Sequence, residues 1–257
     1  MLAFSFGSDS QARYNEGVTD EKTALRILEA LRRGPVGNAG VLVGSSGLFG
    51  FETQVPALTE DIDIAVPEAT VAHHGREIVE ALQAEGFEHQ PGTASFIGPE
   101  NAVFDLLGHG DSEEGDHTGG TDALRVMVFE DLSRLLATPQ ATMELPAGGR
   151  ALRPASFVIV KLLTERAHKG AKDKLQALLV LAERGEDEAF EEEVGRLLCG
   201  VDPERLADVR AAAQAAVFSL QKDPTFSDAG AEAYAPMRQQ VEVGLERLSA
   251  LLERLDA

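Results

Sequence analysis

Basic residues are scarce in this sequence: 23 Lys and Arg stand against 43 Asp and Glu, a formal charge of −20 over 257 residues. Such a field repels the phosphates of a duplex, and no long basic run offsets it locally. Duplex DNA is therefore not expected as a partner. Cysteine is nearly absent: Cys199 stands alone, which excludes an intramolecular disulfide and a thiolate metal cluster within one chain, and fits a reducing compartment. No apolar run approaches the roughly 18 residues of a membrane span. The first residues, MLAFSFGSDSQARYNEG, lack the basic start and long apolar stretch of a secretory signal. A soluble, cytoplasmic protein with no membrane partner is expected. Tryptophan is missing and aromatics make up only 5%, so Leu, Val, Ile and Ala must fill the core.

What is there divides near Pro154. From Asp20, a plausible N-cap, apolar residues Ala24, Leu25, Ile27, Leu28 and Leu31 recur at helical spacing up to a stop at Gly34. GVLVG at 40–44 and DIDIAV at 61–66 read as strands, and a helix is expected from about Glu68 to Glu85, closed by Gly86. Short strands are expected around Ala94–Ile97, Ala102–Leu107, Arg125–Phe129, Thr142–Leu145 and Ala151–Arg153. The segment 108–122, GHGDSEEGDHTGGTD, is glycine-rich and acidic without periodicity and reads as an exposed loop. Beyond Pro154 the patterns are helical, separated by Gly or Asp-Pro, with Met237, Val241, Leu245, Leu248, Leu252 and Leu255 repeating along the last segment. The fold class expected is α+β: a mixed sheet with flanking helices over residues 1–153, then a helical domain over 154–257.

Chemistry is concentrated in VLVGSSGLFGFETQVPALTEDIDIAVPE, Val41 to Glu68. A strand runs into Gly44, Ser45 and Ser46, small residues that let the backbone approach a ligand and leave amide hydrogens for phosphate oxygens. Side chains alternate along a strand, so Asp61 and Asp63 share one face while Ile62, Ile64 and Val66 take the other. Two like charges at that spacing repel, and open water, a proton or a cation must offset them. Hard divalent cations prefer oxygen ligands. A third acid, Asp105, again sits inside an apolar strand, in NAVFDLLG. The blander alternative is that Asp61 and Asp63 cap an exposed strand end and that Asp105 is an edge-strand acid.

A helix, a strand ending in Gly-Ser, an acid-hydrophobic-acid strand and a later strand acid resemble the nucleotidyltransferase fold of the DNA polymerase beta superfamily. The closest likeness is to the bacterial branch of AbiEii-type toxins and their relatives. Thr59-Glu60-Asp61-Ile62-Asp63 matches a segment common in that branch, and Lys161 and Arg166, then Lys172 and Asp173, follow in its order. Gln176 stands near where a second acid often follows that Lys-Asp pair. The likeness covers roughly residues 20–185.

The resemblance implies transfer of a nucleoside monophosphate from an NTP, with Mg²⁺ or Mn²⁺ as cofactor, to an acceptor hydroxyl on a small molecule, a protein side chain or an RNA end. Asp61, Asp63 and Asp105 would be catalytic and metal-binding. Gly44, Ser45, Ser46, Lys161, Arg166 and Lys172 would bind the nucleotide. A competing possibility for Lys161 is a surface pair with Glu165, four residues on. Two other readings remain at this point: a nucleotide-binding or regulatory protein of the same fold without turnover, and an interaction module whose acidic surface meets a basic partner. Convergence of all three carboxylates distinguishes the first from these. Other motifs fail: no Gly-Lys-Ser/Thr phosphate loop and no Gly-x-Ser-x-Gly elbow occurs, and His109, Asp111, Asp116 and His117 read as a solvated loop rather than a zinc cluster.

Overall fold

A computed structural model describes residues 20–57, 59, 61–111, 115–146, 148–164, 170–222 and 232–255. Helix α1 (Glu21–Arg33) starts as the sequence indicates, with the Asp20 carboxylate accepting the Thr23 amide, and ends at Gly34. Strand β1 (Val41–Val43) enters a 3₁₀ turn, Gly44–Gly50, and β2 (Asp61–Pro67) leads directly into α2 (Glu68–Ala84). The strands β3 (Glu88–His89), β4 (Ser95–Ile97), β5 (Val103–His109), β6 (His117–Gly120) and β7 (Arg125–Val128) follow. Then come α3 (Glu130–Leu136), β8 (Thr142–Glu144) and β9 (Arg150–Leu152).

The strands form one nine-stranded mixed sheet in the order β3-β4-β5-β2-β1-β9-β8, with β7 beside β5 and β6 beside β7. β2 lies antiparallel to β1 and parallel to β5. Two expectations need correction. Residues 117–120, assigned to an exposed loop, pair antiparallel with 125–128, because ladder hydrogen bonds rather than side-chain periodicity hold this glycine-rich hairpin. Helix α3 was not foreseen: seven residues are too few for a periodic pattern to emerge.

The C-terminal part is helical as expected: α4 (Pro154–Leu163), α5 (Gly170–Arg184), α6 (Glu188–Leu198), α7 (Pro203–Lys222) and α8 (Arg238–Leu255). A 3₁₀ segment, Glu232–Met237, replaces the start of the expected last helix because Pro236 supplies no amide donor. Period two in β2 decides the layering. Ile62, Ile64 and Val66 are fully buried in a core with Ile27, Leu31, Ile78 and Leu82 of α1 and α2. Ala65, on the opposite face with Asp61 and Asp63, joins a second core built by β1 and the helices after residue 154, including Phe157, Leu178 and Leu248. The carboxylates therefore face the C-terminal helices, and the second core runs continuously across Pro154.

Helices α5 and α8 approach closely at Gly244, where an added Cβ would lie 1.9 Å from the Leu178 carbonyl oxygen. That atom is backbone and cannot swing aside. Gly244→Ala is expected to destabilise by about 1–3 kcal/mol through overpacking. In α6, Gly195 is the control: its nearest atom, Leu251 Cδ2, would lie at 3.8 Å, so Gly195→Ala should stabilise by a few tenths to about 1 kcal/mol. Urea melts of the two variants check the opposite signs.

Candidate active site

Register brings the acids together. Val43 pairs with Asp63, and Asp63 pairs with Asp105, so the end of β1 and all three carboxylates meet on one face of the sheet. Asp61, Asp63 and Asp105 each offer an oxygen within 4.8 Å of the others. Asp63 is the buried member at 5% exposure, with Asp61 and Asp105 half-buried. Neighbouring hydroxyls feed the outer two: Thr59 Oγ1 donates to Asp61 Oδ1 at 3.0 Å, and Ser95 Oγ donates to Asp105 Oδ1. Three close carboxylate oxygens of this kind suit a hard divalent cation.

Gly44 makes room for the central acid. Its φ is +58°, in the left-handed region, and an added Cβ would lie 1.9 Å from Asp63 Oδ2. Any side chain here would be strained and would fill the space the carboxylate occupies. Ser46 fixes the turn to the strand: its hydroxyl lies 2.8 Å from the Val43 carbonyl and accepts the Asp63 amide at 3.3 Å. Ser46 is fully buried, so its hydroxyl is committed to backbone.

Ser45 belongs to a buried polar chain that crosses to the helices. Lys161 Nζ donates to Ser45 Oγ at 3.1 Å, Ser45 donates to Gln176 Oε1 at 2.9 Å, and Gln176 Nε2 donates to the Tyr234 hydroxyl at 2.8 Å. The chain ends where Tyr234 donates to the Pro56 carbonyl at 3.1 Å. Burial raises the Tyr234 phenol well above its ordinary value, so it stays a neutral donor. Lys161 is ion-paired with Asp173, both side chains only 4% exposed, and Glu165, the acid four residues on, lies outside the described residues. Lys174 closes the end of α4 by donating to the carbonyls of Thr164 at 2.6 Å and Lys161 at 3.2 Å.

Sequence reasoning missed the roles of Gln176, Tyr234 and Lys174. A buried polar residue on an otherwise apolar helical face was the available signal for Gln176 and Lys174. Of the remaining candidates, Lys172 is buried on α5, and Arg166 lies outside the described residues. Thr59 of the Thr59–Asp63 segment hydrogen-bonds Asp61, and Glu60 also lies outside the described residues.

Beside the triad, a cavity of about 360 Å³ is lined by Gly44, Lys161 and Asp173, with apolar walls from Val43, Leu107 and Val160. Arg205 and Asp131 also line it, Arg205 gripping Asp131 with two guanidinium nitrogens.

One strand end carries a titrating group. Burial, and secondarily the nearby Arg150 charge, lowers the His109 pKa from 6.5 to about 4, and its Nε2 has no partner among the described residues. The folded state thus keeps His109 neutral after the unfolded chain has gained its proton. Its contribution is present above about pH 6.5 and is lost as pH falls towards 4. In His109→Phe, this part of the acid-induced stability loss should vanish, and matched melts across that window measure it.

Among the described residues, no helix is long and apolar enough to cross a membrane. No protein-family model matches the chain, and no curated protein matches it. Among solved structures it is similar to the CD-NTase CdnG of Bradyrhizobium diazoefficiens in complex with GTP, at 11% identity and a TM-score of 0.33, over 96% of this chain and 97% of that one.

Proposed function

We propose that this protein is a metal-dependent nucleotidyltransferase that moves an NMP group from an NTP to an acceptor hydroxyl. The observation that carries this reading is the convergence of Asp61, Asp63 and Asp105 next to the Gly44 turn. Mg²⁺ or Mn²⁺ bound by these carboxylates would supply charge neutralisation for an in-line phosphoryl displacement. The chain's own groups do the rest. Backbone amides of the Gly44–Gly50 turn and Ser45 would seat the β- and γ-phosphates, while the Lys161 ammonium, 3.1 Å from Ser45 Oγ, would balance charge on the departing group. Ser46 would hold the turn in place. Asp105 would take the acceptor's hydroxyl proton as the acceptor oxygen bonds to the α-phosphorus and pyrophosphate leaves with the electrons of the broken P–O bond. Ser95, donating to Asp105, would fix the orientation of that carboxylate.

In this reading residues 1–153 form the transferase domain and 154–257 the helical domain that closes it. The Thr59–Asp63 segment and the order Lys161, Arg166, Lys172 support a place near the AbiEii-type branch. A binding protein without turnover has no need of a third carboxylate beside the first two, which favours catalysis over that alternative. The test is twofold: a rise in melting temperature with Mg²⁺ or Mn²⁺ plus a mixture of the four NTPs, and label transfer from α-labelled NTP. An unchanged melt at millimolar ligand would remove the reading.

A further inference from the structure

We infer that Gln176 and Tyr234 are positioning residues for the nucleotide: they give the buried polar chain a single direction, and that direction leaves the Ser45 oxygen as an acceptor that holds the Lys161 ammonium at the phosphate seat. The inference rests on the transferase reading for the identity of the ligand.

The two ends of the chain fix its direction, because an ammonium has only donors and a backbone carbonyl only accepts. At one end Lys161 donates to Ser45 Oγ at 3.1 Å, and at the other the Tyr234 hydroxyl spends its one proton on the Pro56 carbonyl, also at 3.1 Å. Tyr234 then has only lone pairs for Gln176. The Gln176 amide must turn its nitrogen to the phenol, at 2.8 Å, and its oxygen to Ser45, at 2.9 Å. Ser45 consequently gives its proton to Gln176. It would meet a phosphate through its backbone amide, while its side chain keeps a lone pair for the ammonium.

Both ends are anchored. Lys161 is paired with Asp173. Pro56 lies between the Gly44–Gly50 turn and β2, in a segment that Glu183 of α5 pins by accepting the Gln54 amide at 2.8 Å and the Thr53 hydroxyl. Arg184, the next residue, donates to the Glu52 carbonyl. Ser45, Gln176 and Tyr234 are each no more than 5% exposed, so bulk water does not reach them to replace a lost partner. Without the Tyr234 hydroxyl, Gln176 is free to present its nitrogen to Ser45. That donor would compete with Lys161 for the Ser45 lone pairs and turn the Ser45 proton towards the ammonium.

Calorimetric titration of the full chain with Mg²⁺ and non-hydrolysable analogues of the four NTPs tests this. Tyr234→Phe keeps the ring and should weaken the tightest of them about tenfold. Gln176→Met breaks the chain at an independent point and should behave alike. Ser45→Ala should also lose about tenfold, and so should Ser45→Ala combined with Tyr234→Phe, rather than about a hundredfold, because both changes interrupt one chain. Gly244→Ala, expected to lose stability at the contact of α5 with α8, is the control and should keep the parental affinity. Parental affinity in Tyr234→Phe and Gln176→Met, losses that multiply in the double variant, or an equal loss in Gly244→Ala would overturn the inference and leave the transferase reading standing. No binding by the parent would remove both.

Discussion

Asp63→Asn is expected to leave the protein at least as stable as the parent in the absence of metal, and to abolish its stabilisation by Mg²⁺-NTP. Asp63 is the most buried of three acids whose oxygens lie within 4.8 Å of one another. At that spacing, and at the effective dielectric of a partly wet site, like charges repel by on the order of 1–3 kcal/mol. Asn keeps the shape that fits against Gly44 and removes the charge. Relief of repulsion in the apo protein thus coincides with loss of a cation ligand. Label transfer from α-labelled NTP should fall by about 100-fold or more, as expected when a preorganised electrostatic group is removed. Asp122→Asn, whose side chain is fully exposed, should change neither measurement. Retention of the full metal-dependent shift in Asp63→Asn would reject both the metal site and the transferase assignment.

The second large effect concerns the ion pair under the turn. Lys161→Met leaves Asp173 charged, buried and without its partner, and is expected to destabilise by about 3–5 kcal/mol. Adding Asp173→Leu removes the stranded charge, and much of that stability should return, because a buried pair replaced by apolar groups of similar volume is often close to neutral. Function should not return with it. The double variant still lacks the ammonium beside Ser45, so Mg²⁺-NTP should raise its melting temperature little. Urea melts of the two single variants and the double variant give the coupling energy. A loss below about 1 kcal/mol in Lys161→Met would show that the pair is effectively solvated.

Local rules made much of the architecture legible. The apolar positions of α1, the Asp20 cap and the Gly34 stop are interactions within a few residues, and a 3.6-residue period reports them directly. Alternation in DIDIAV showed that Asp61 and Asp63 share a face, and the β2 register bears this out. What alternation left open was what that face meets. It is the C-terminal helical layer, because Ala65 packs into the core those helices build.

Other features were decided by partners far apart in sequence. Asp105 stands opposite Asp63 through the parallel pairing of β5 with β2, and no local pattern sets the register of strands separated by a helix and a hairpin. Lys161 pairs with Asp173 on the next helix, a partner that no rule of local spacing indicates, because its helix face turns inward against α5. Gln176 stood near where a second acid was expected. In the fold it links Ser45 to Tyr234, 58 residues further on, within the continuous core. The sequence by itself determined most of the elements, the shared face of the two aspartates and the acidic field. Tertiary structure alone decided that three acids, a glycine turn and a buried lysine occupy one place, since that depends on strand register and helix docking, whose energies come from residues distant along the chain.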